Sequence, residues 1–359
     1  MIIETAHTQL TIDTDNGILR KIQLKDFPRP LLLGASGLFD IALPLPDEMP
    51  HRVKGSYSQT VSRVEQKNGQ TILHFKTLKS DRGVFEVSAK LRIQPTDRGF
   101  KVRLEIINHS SHRIPQVLFP CLNGVQPTGE LDHELLHLGR ATKQPYVWMK
   151  SPDDAAVFYD LYRKWYFAYG MQDWPMKWFR IGNQHRGLSV FSDDISAKVQ
   201  GLYVERDKKH PHLSISWAHY PHIEEGETWV SPEFTIEAHQ GDWRTGIEQY
   251  KAYANQHLPT AALASHLADS LGARSLFFST YLYDNNPNFK FRDLPVVARD
   301  AKAHGLSELI CWFMFENYFE LPLKLNPKLG TAAELKIAVD ACCDIGVNEI
   351  GRASCRERV

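Results

Sequence analysis

Short apolar runs alternate with helix signals between residues 275 and 346, and this alternation restricts the fold more than any other feature of the chain. Residues 275–283 are apolar and aromatic, too short a run for an ordinary helix, and the turn cluster 284–287 follows them. They predict a buried strand. Asp293 and Pro295 then open a helix that Val296, Val297, Asp300, Ala301 and His304 continue. Gly305 supplies the left-handed stop that a β-carbon disfavours. Residues 308–315 predict a second buried strand. Thr331 and Glu334 stand at capping-box spacing ahead of an apolar face of Leu335, Ala338, Val339 and Cys342, and a further strand is due at Val347.

Strand, helix, strand, helix implies a parallel sheet covered by helices, because parallel neighbours need a crossover connection. An eight-stranded barrel of such units takes about 250 residues, so 274–348 reads as the first two βα units of a truncated (β/α)8 TIM barrel. Residues 349–359 show neither strand alternation nor a helical face, and they resemble a translated sequencing adapter. The expectation is a non-native tail on a chain that naturally continues past Asn348. A truncated barrel exposes apolar faces and an unpaired edge, which favours aggregation.

Before residue 241 the period is two. Leu73, Phe75 and Thr77 alternate with polar neighbours, as do Phe85, Val87, Ala89, Leu91 and Ile93, and then Phe100, Val102, Leu104 and Ile106. Between these runs, Asn68-Gly69, 81–83 and 97–99 supply turn residues that accept a positive φ. A meander of three or more strands follows, one face of a sandwich. Further strands are expected at 8–12, 18–24, 37–43, 197–205, 212–219 and 233–238. The aromatic stretch 153–194, which includes Phe158, Tyr159, Tyr162, Trp174, Trp178 and Phe179, reads as sealing two sheets together, the alternative being a groove lining. Residues 1–240 are thus expected to form an antiparallel β-supersandwich.

The chain balances 42 Lys and Arg against 42 Asp and Glu, so charge supplies no reason to expect nucleic acid or an anionic membrane as partner. No apolar run reaches the ~18 residues of a membrane span. The first residues lack the basic start and apolar core of a signal peptide, and a soluble, cytoplasmic protein is expected. Cys121, Cys311, Cys342 and Cys343 show no C-x-x-C spacing and read as small buried apolar groups. Eight Trp and thirteen Tyr suit sugar rings as well as cores, since each offers a flat apolar face with one polar handle.

Asp242 can cap a helix on which Trp243, Ile247, Tyr250 and Ala254 share a face, stopped by Pro259, and 241–273 reads as a linker helix between two domains. A β-sandwich, the segment from Gly241-Asp-Trp243 to Tyr253, and a strand and helix alternation occur in that order. This order resembles glycoside hydrolases with a galactose-mutarotase-like supersandwich ahead of a (β/α) barrel. The relatives are the alpha-galactosidase-like enzymes, the endo-alpha-N-acetylgalactosaminidases and a glycosidase-like family of unknown function. In that last family a Gly-Asp-Trp helix and a Leu-Gly-Thr-x-x-Glu-Leu helix start recur, matched by Gly241-Asp-Trp243 and by 329–335.

The resemblance implies a multidomain β plus α/β protein that hydrolyses oligosaccharides or glycoconjugates. Such chemistry needs two carboxyl groups flanking the glycosidic bond, roughly 5 Å apart for retention and wider for inversion. The family places them on the fourth and sixth barrel strands, so the catalytic residues are expected beyond the end of this chain, and the chain by itself is expected to be inactive. No metal or organic cofactor is implied. At the ends of the two predicted strands, where barrel loops gather around substrate, Asp284, Glu316 and Asn317 are placed to bind sugar hydroxyls, and Tyr283 and Trp312 to stack on a ring. Asp284 reads equally as a turn-forming residue, and Trp312 as core.

One local motif points elsewhere. His133-Glu134-Leu-Leu-His137 fits H-E-x-x-H, in which a helix presents two imidazoles to zinc and the Glu polarises a bound water. Gly129 and Gly139 leave little room for that helix, and the longer metzincin pattern fails at Arg140 and Lys143. A zinc metallopeptidase therefore ranks below a non-catalytic carbohydrate-binding module as the alternative function. A lyase or epimerase on the same scaffold stays open.

Overall fold

The period-two runs form antiparallel ladders. Val87–Pro95 pairs with Phe100–Asn108 from Val87 opposite Asn108 to Pro95 opposite Phe100, which puts Ala89, Leu91, Ile93, Val102, Leu104 and Ile106 on one buried face. On the wet face Glu105 meets Lys90 at 2.5 Å and Arg92 at 3.0 Å, cross-strand pairs of opposite charge. Asn68 and Gly69, at φ 51° and 73°, make the two-residue turn between Arg63–Lys67 and Gln70–Phe75. Gly99 acts differently from the expectation. Its φ is not positive; instead a β-carbon there would lie 2.3 Å from the Ile236 carbonyl oxygen, so the neighbouring strand demands the glycine.

The computed structural model describes residues 1–129, 135–138, 146–147, 164–170, 174–196, 198–206, 213–258, 267–280, 286–316 and 322–351. The chain divides into two compact units, Met1–Leu258 and Pro259–Val359. The first is built on two ten-stranded antiparallel sheets. One sheet runs Ile2–Glu4, Thr8–Ile12, Ile18–Leu24, Leu32–Gly37, Gln116–Val125, Leu213–His219, Gln200–Arg206 and Lys164–Ala168, with Asp40–Leu45 and Glu48–Val53 branching from Gln116–Val125. The other runs Tyr146–Val147, Leu135–His137, Trp178–Gly182, Arg186–Ser192, Phe234–Gln240, Phe100–Asn108, Val87–Pro95, Gln70–Phe75 and Arg63–Lys67, with Thr228–Val230 also on Phe100–Asn108. The strand expected at 37–43 is split between Leu32–Gly37 and Asp40–Leu45, and Pro50 sits in the edge strand Glu48–Val53, where a missing N–H leaves no partner unbonded.

Both sheets contribute to one core, Leu10, Ile22, Leu122 and Ile215 from the first and Leu91, Leu104, Val190 and Ile236 from the second. Trp174, Phe179, Trp217 and Phe234 lie inside it, with Trp174 and Trp217 ring centroids 4.6 Å apart and Trp217 and Phe234 5.0 Å apart. Phe158, Tyr159 and Tyr162 lie outside the described residues. Helix α1, Trp243–His257, starts where the Asp242 side chain accepts from the Arg244 N–H. It packs on the second sheet through Tyr250 with Trp178 and Phe191, and the residues of 241–273 up to Leu258 fall in the first unit.

The second unit alternates strand and helix. Ala273–Phe277, Glu308–Trp312 and Asn348–Gly351 form a parallel sheet in that order, and helices α2, Leu294–Ala303, and α3, Ala332–Ile345, connect them. Leu276, Phe278, Leu309 and Cys311 join Leu294, Ala298, Ala301, Ala338 and Cys342 in its core, while Cys343 is exposed and not buried as expected. The first strand begins earlier than 275 and ends at Phe277, and only Leu276 within it is buried. Glu349, Ile350 and Gly351 lie in a segment where no strand is expected, yet they form one. They pair with Leu309, Ile310 and Cys311, because Gly346 at φ 81° turns the chain out of α3 and the open backbone groups of Glu308–Trp312 accept any sequence as a neighbour. Three described strands do not close a barrel, so the (β/α)8 reading is not shown by this unit.

Candidate functional site

Parallel strands bring their C-terminal ends to one edge of the sheet, and the predicted sugar-binding residues were placed there. Leu276, Leu309 and Cys311 face the helices; Phe277 and Trp312 alternate to the other face. Their rings stack with centroids 6.0 Å apart and planes 11° apart, and Phe313 lies 5.6 Å from Phe277. Phe277 is 50% exposed, so the group offers an aromatic surface. Phe313 adopts φ 60°, a conformation bulky side chains rarely take and one that clusters at functional sites. The strand ends are tied together: the Phe278 N–H donates to the Trp312 carbonyl at 2.9 Å and the Ser279 hydroxyl to the Phe313 carbonyl at 3.1 Å.

Two loops leave this edge. Thr280 closes the first, its N–H donating to the Asn286 carbonyl at 3.0 Å and its hydroxyl accepting from the Asn286 N–H at 3.0 Å. Tyr283 and Asp284 fall within that loop, outside the described residues. At the base of the second, Phe315 bridges to Leu325 and the Glu316 N–H donates to the Lys324 carbonyl at 2.8 Å, leaving the Glu316 side chain exposed. Asn317 also lies outside the described residues. Trp312 and Glu316 are therefore placed on the exit of one strand, with Phe277, Ser279 and Phe313 beside the former.

The H-E-x-x-H stretch differs from its zinc expectation. His133 and Glu134 lie outside the described residues, and Leu135–His137 is a strand, paired with Trp178–Gly182. Extended backbone sets residues four apart about 13 Å from one another, too far for both to ligate one ion, whereas one helical turn brings such a pair together. His137 stacks on Trp243 at 6.2 Å, and burial together with the adjacent Arg180 charge pushes its pKa down to about 4. No cluster of three or more His, Cys, Asp or Glu placed to hold a metal occurs among the described residues.

Nearby, under α1, Ser189 Oγ lies 3.2 Å from His239 Nε2, the spacing of a nucleophile and its base. The surroundings deny that role. Ser189 is 1% exposed, and Arg180, whose Nε lies 3.5 Å from the same nitrogen, competes as a cation while burial pushes His239 down to about 4. A β-carbon on Gly246 of α1 would stand 2.5 Å from both atoms, so the helix seals the pair from solvent. Glu237, 3% exposed and held by Arg98 at 2.6 Å, is pushed by burial up to about 7. This network anchors the helix on the sheet.

No protein-family model matches the sequence, and no curated protein matches it. Among solved structures, the alpha-N-acetylgalactosaminidase NagBb from Bifidobacterium bifidum, in its GalNAc complex, is similar over 98% of this chain and 58% of its own, at 14% identity and a TM-score of 0.62. The fold is glycoside hydrolase-like. The GH36 alpha-galactosidase AgaA from Geobacillus stearothermophilus covers 98% of this chain and 56% of its own at 10% identity, with a TM-score of 0.44. A galactose mutarotase related enzyme from Lactobacillus acidophilus covers 67% of this chain and 97% of its own at 11% identity, also with a TM-score of 0.44.

The chain thus spans little more than half the length of NagBb. Sequence reasoning singled out Trp312 and Glu316 but missed Phe277 and Phe313, which complete the aromatic surface. Phe277 was hidden inside an apolar run read as wholly buried, and nothing local to Phe313 signals its left-handed backbone. No helix among the described residues is long and apolar enough to cross a membrane.

Proposed function

We propose that the chain is the front portion of a glycoside hydrolase acting on an oligosaccharide or glycoconjugate. The sandwich precedes the opening βα units of a (β/α)8 barrel, residues 274–348, and the carboxylate pair stands on barrel strands that these 359 residues do not include. One carboxyl protonates the leaving oxygen and the other attacks the sugar or activates water, chemistry that needs neither metal nor organic cofactor. The residues at the strand ends form a binding wall. Phe277 and Trp312 stack on a ring, Glu316 accepts from its hydroxyls, and Tyr283, Asp284 and Asn317 extend the wall. The observation that carries this reading is the likeness to NagBb over 98% of the chain.

The test compares this chain with the same protein extended through a complete barrel, on nitrophenyl α-N-acetylgalactosaminide and nitrophenyl α-galactoside. The expected result is no turnover by the first and turnover by the second. In the extended protein, Glu316→Gln is expected to raise KM by roughly tenfold with a smaller change in kcat, the mark of lost ground-state binding. An extended protein silent on a broad panel of nitrophenyl glycosides overturns the reading.

A further inference from the structure

A cavity of about 830 Å³ belongs wholly to the first unit. It opens where the two sheets come together, between residues 193–196, the end of Leu213–His219, the strand Thr228–Val230, and Arg103 of Phe100–Asn108. Its size is that of small-molecule sites, roughly 300–1,000 Å³. His219, 5% exposed, lines it with Nε2 2.9 Å from the Phe119 carbonyl oxygen. A carbonyl only accepts, so Nε2 carries the proton. Burial pushes the ring down to about 4, and the neutral ring then has its lone pair on Nδ1, a nitrogen without a protein partner among the described residues.

Trp229 stands beside it, ring centroids 5.3 Å apart, and its indole N–H likewise has no protein partner among the described residues. One wall therefore holds an unmet acceptor next to an unmet donor. Asp193 accepts the Glu233 N–H on Oδ1 at 2.8 Å, which leaves Oδ2 without a protein partner among the described residues. Tyr220 adds a second aromatic face, and the exposed His222 at the rim holds φ 52°, left-handed without being glycine. An anion would meet the Asp193 carboxylate and a cation the Arg103 guanidinium and the Lys198 ammonium. A neutral polyol, whose hydroxyls both donate and accept and whose C–H faces suit aromatic rings, satisfies every group.

We infer that this cavity binds a neutral saccharide, with hydroxyls donating to His219 Nδ1 and Asp193, accepting from the Trp229 indole, and a ring face against Trp229 or Tyr220. The site binds and does not cleave. Asp194, the second carboxylate in the lining, has Oδ2 taken by Lys177 at 2.7 Å and Gln200 at 2.5 Å, and Oδ1 by the Ser196 N–H at 2.8 Å. The inference is independent of the barrel reading of the second unit.

Galactose, N-acetylgalactosamine, glucose and maltose, titrated into the full chain and followed by tryptophan fluorescence and calorimetry, test it. Saturable binding of at least one sugar is expected, weakened roughly tenfold by Asp193→Asn and by Trp229→Phe. The first changes an exposed side chain and the second keeps a ring in place, and thermal melts check that each variant is folded. If Trp229→Phe melts early, Asp193→Asn decides alone. Absence of binding up to about 50 mM of every sugar, which is weaker than specific sites achieve, overturns the proposal. So does unchanged affinity in the cavity variants with loss in Glu316→Gln, which assigns the sugar to the strand ends.

Discussion

His137, His219 and His239 are rings that burial pushes to pKa values of about 4, whereas an unfolded histidine titrates near 6.5. The unfolded chain takes up these protons first, so each ring's contribution is full above 6.5 and is lost as the pH falls towards 4. Glu237 has the opposite sign. Burial raises it to about 7 from 4.5, so its contribution is full below 4.5 and is lost as the pH rises to 7. Three rings outweigh one carboxyl. Melting temperatures measured from pH 4 to pH 8 are expected to fall as pH drops from 6.5 to 4.5, and Glu237→Gln is expected to steepen that fall. A Glu237→Gln protein with a flatter acid limb contradicts these assignments. Apart from His137, which the H-E-x-x-H motif marks, these groups do not stand out in the sequence: a histidine in an alternating run looks the same whether its strand faces water or a second sheet.

At the scale of elements, what is local was legible. Thr331 and Glu334 form the capping box their spacing announces, the Thr331 hydroxyl accepting from the Glu334 N–H at 3.2 Å and the Glu334 carboxylate from the Thr331 N–H at 2.7 Å. Gly346 ends the same helix at φ 81°. Thr331→Ala is expected to cost about 1 kcal/mol and Gly346→Ala a similar amount, roughly 1 kcal/mol, each read as a shifted denaturant midpoint. What depends on a neighbour was not legible. Gly99 and Gly246 look like a turn residue and a weak helix position, yet both are set by atoms from distant strands, the Ile236 carbonyl in one case and His239 with Ser189 in the other. Residues 275–283 read as one buried strand because their side chains are apolar, aromatic or small. The strand ends at Phe277, and beyond it the Phe278 N–H and the Ser279 hydroxyl still bond across to the Trp312 and Phe313 carbonyls.

At the scale of the molecule, the sandwich core draws on both sheets, and the α/β unit rests on a far smaller set of buried side chains around Leu276, Leu309 and Ala338. Less buried apolar surface means less to lose on local opening. Hydrogen exchange is expected to be slower in Phe100–Asn108 and Gln116–Val125 than in Ala273–Phe277 and Glu308–Trp312, and equal protection would mean the smaller core is stiffer than its size allows. The sequence by itself determined most element types, the helix ends, the hairpin at Asn68-Gly69 and the order of antiparallel before parallel architecture. These follow from backbone sterics and side-chain periodicity acting over a few residues. Only the tertiary structure decided that Glu349 to Gly351 make a strand, that His137 lies on a strand under Trp243, and that His219, Trp229 and Asp193 share one cavity. Such outcomes depend on which distant backbone groups and ring faces meet, and periodicity within one segment carries no information about its partner.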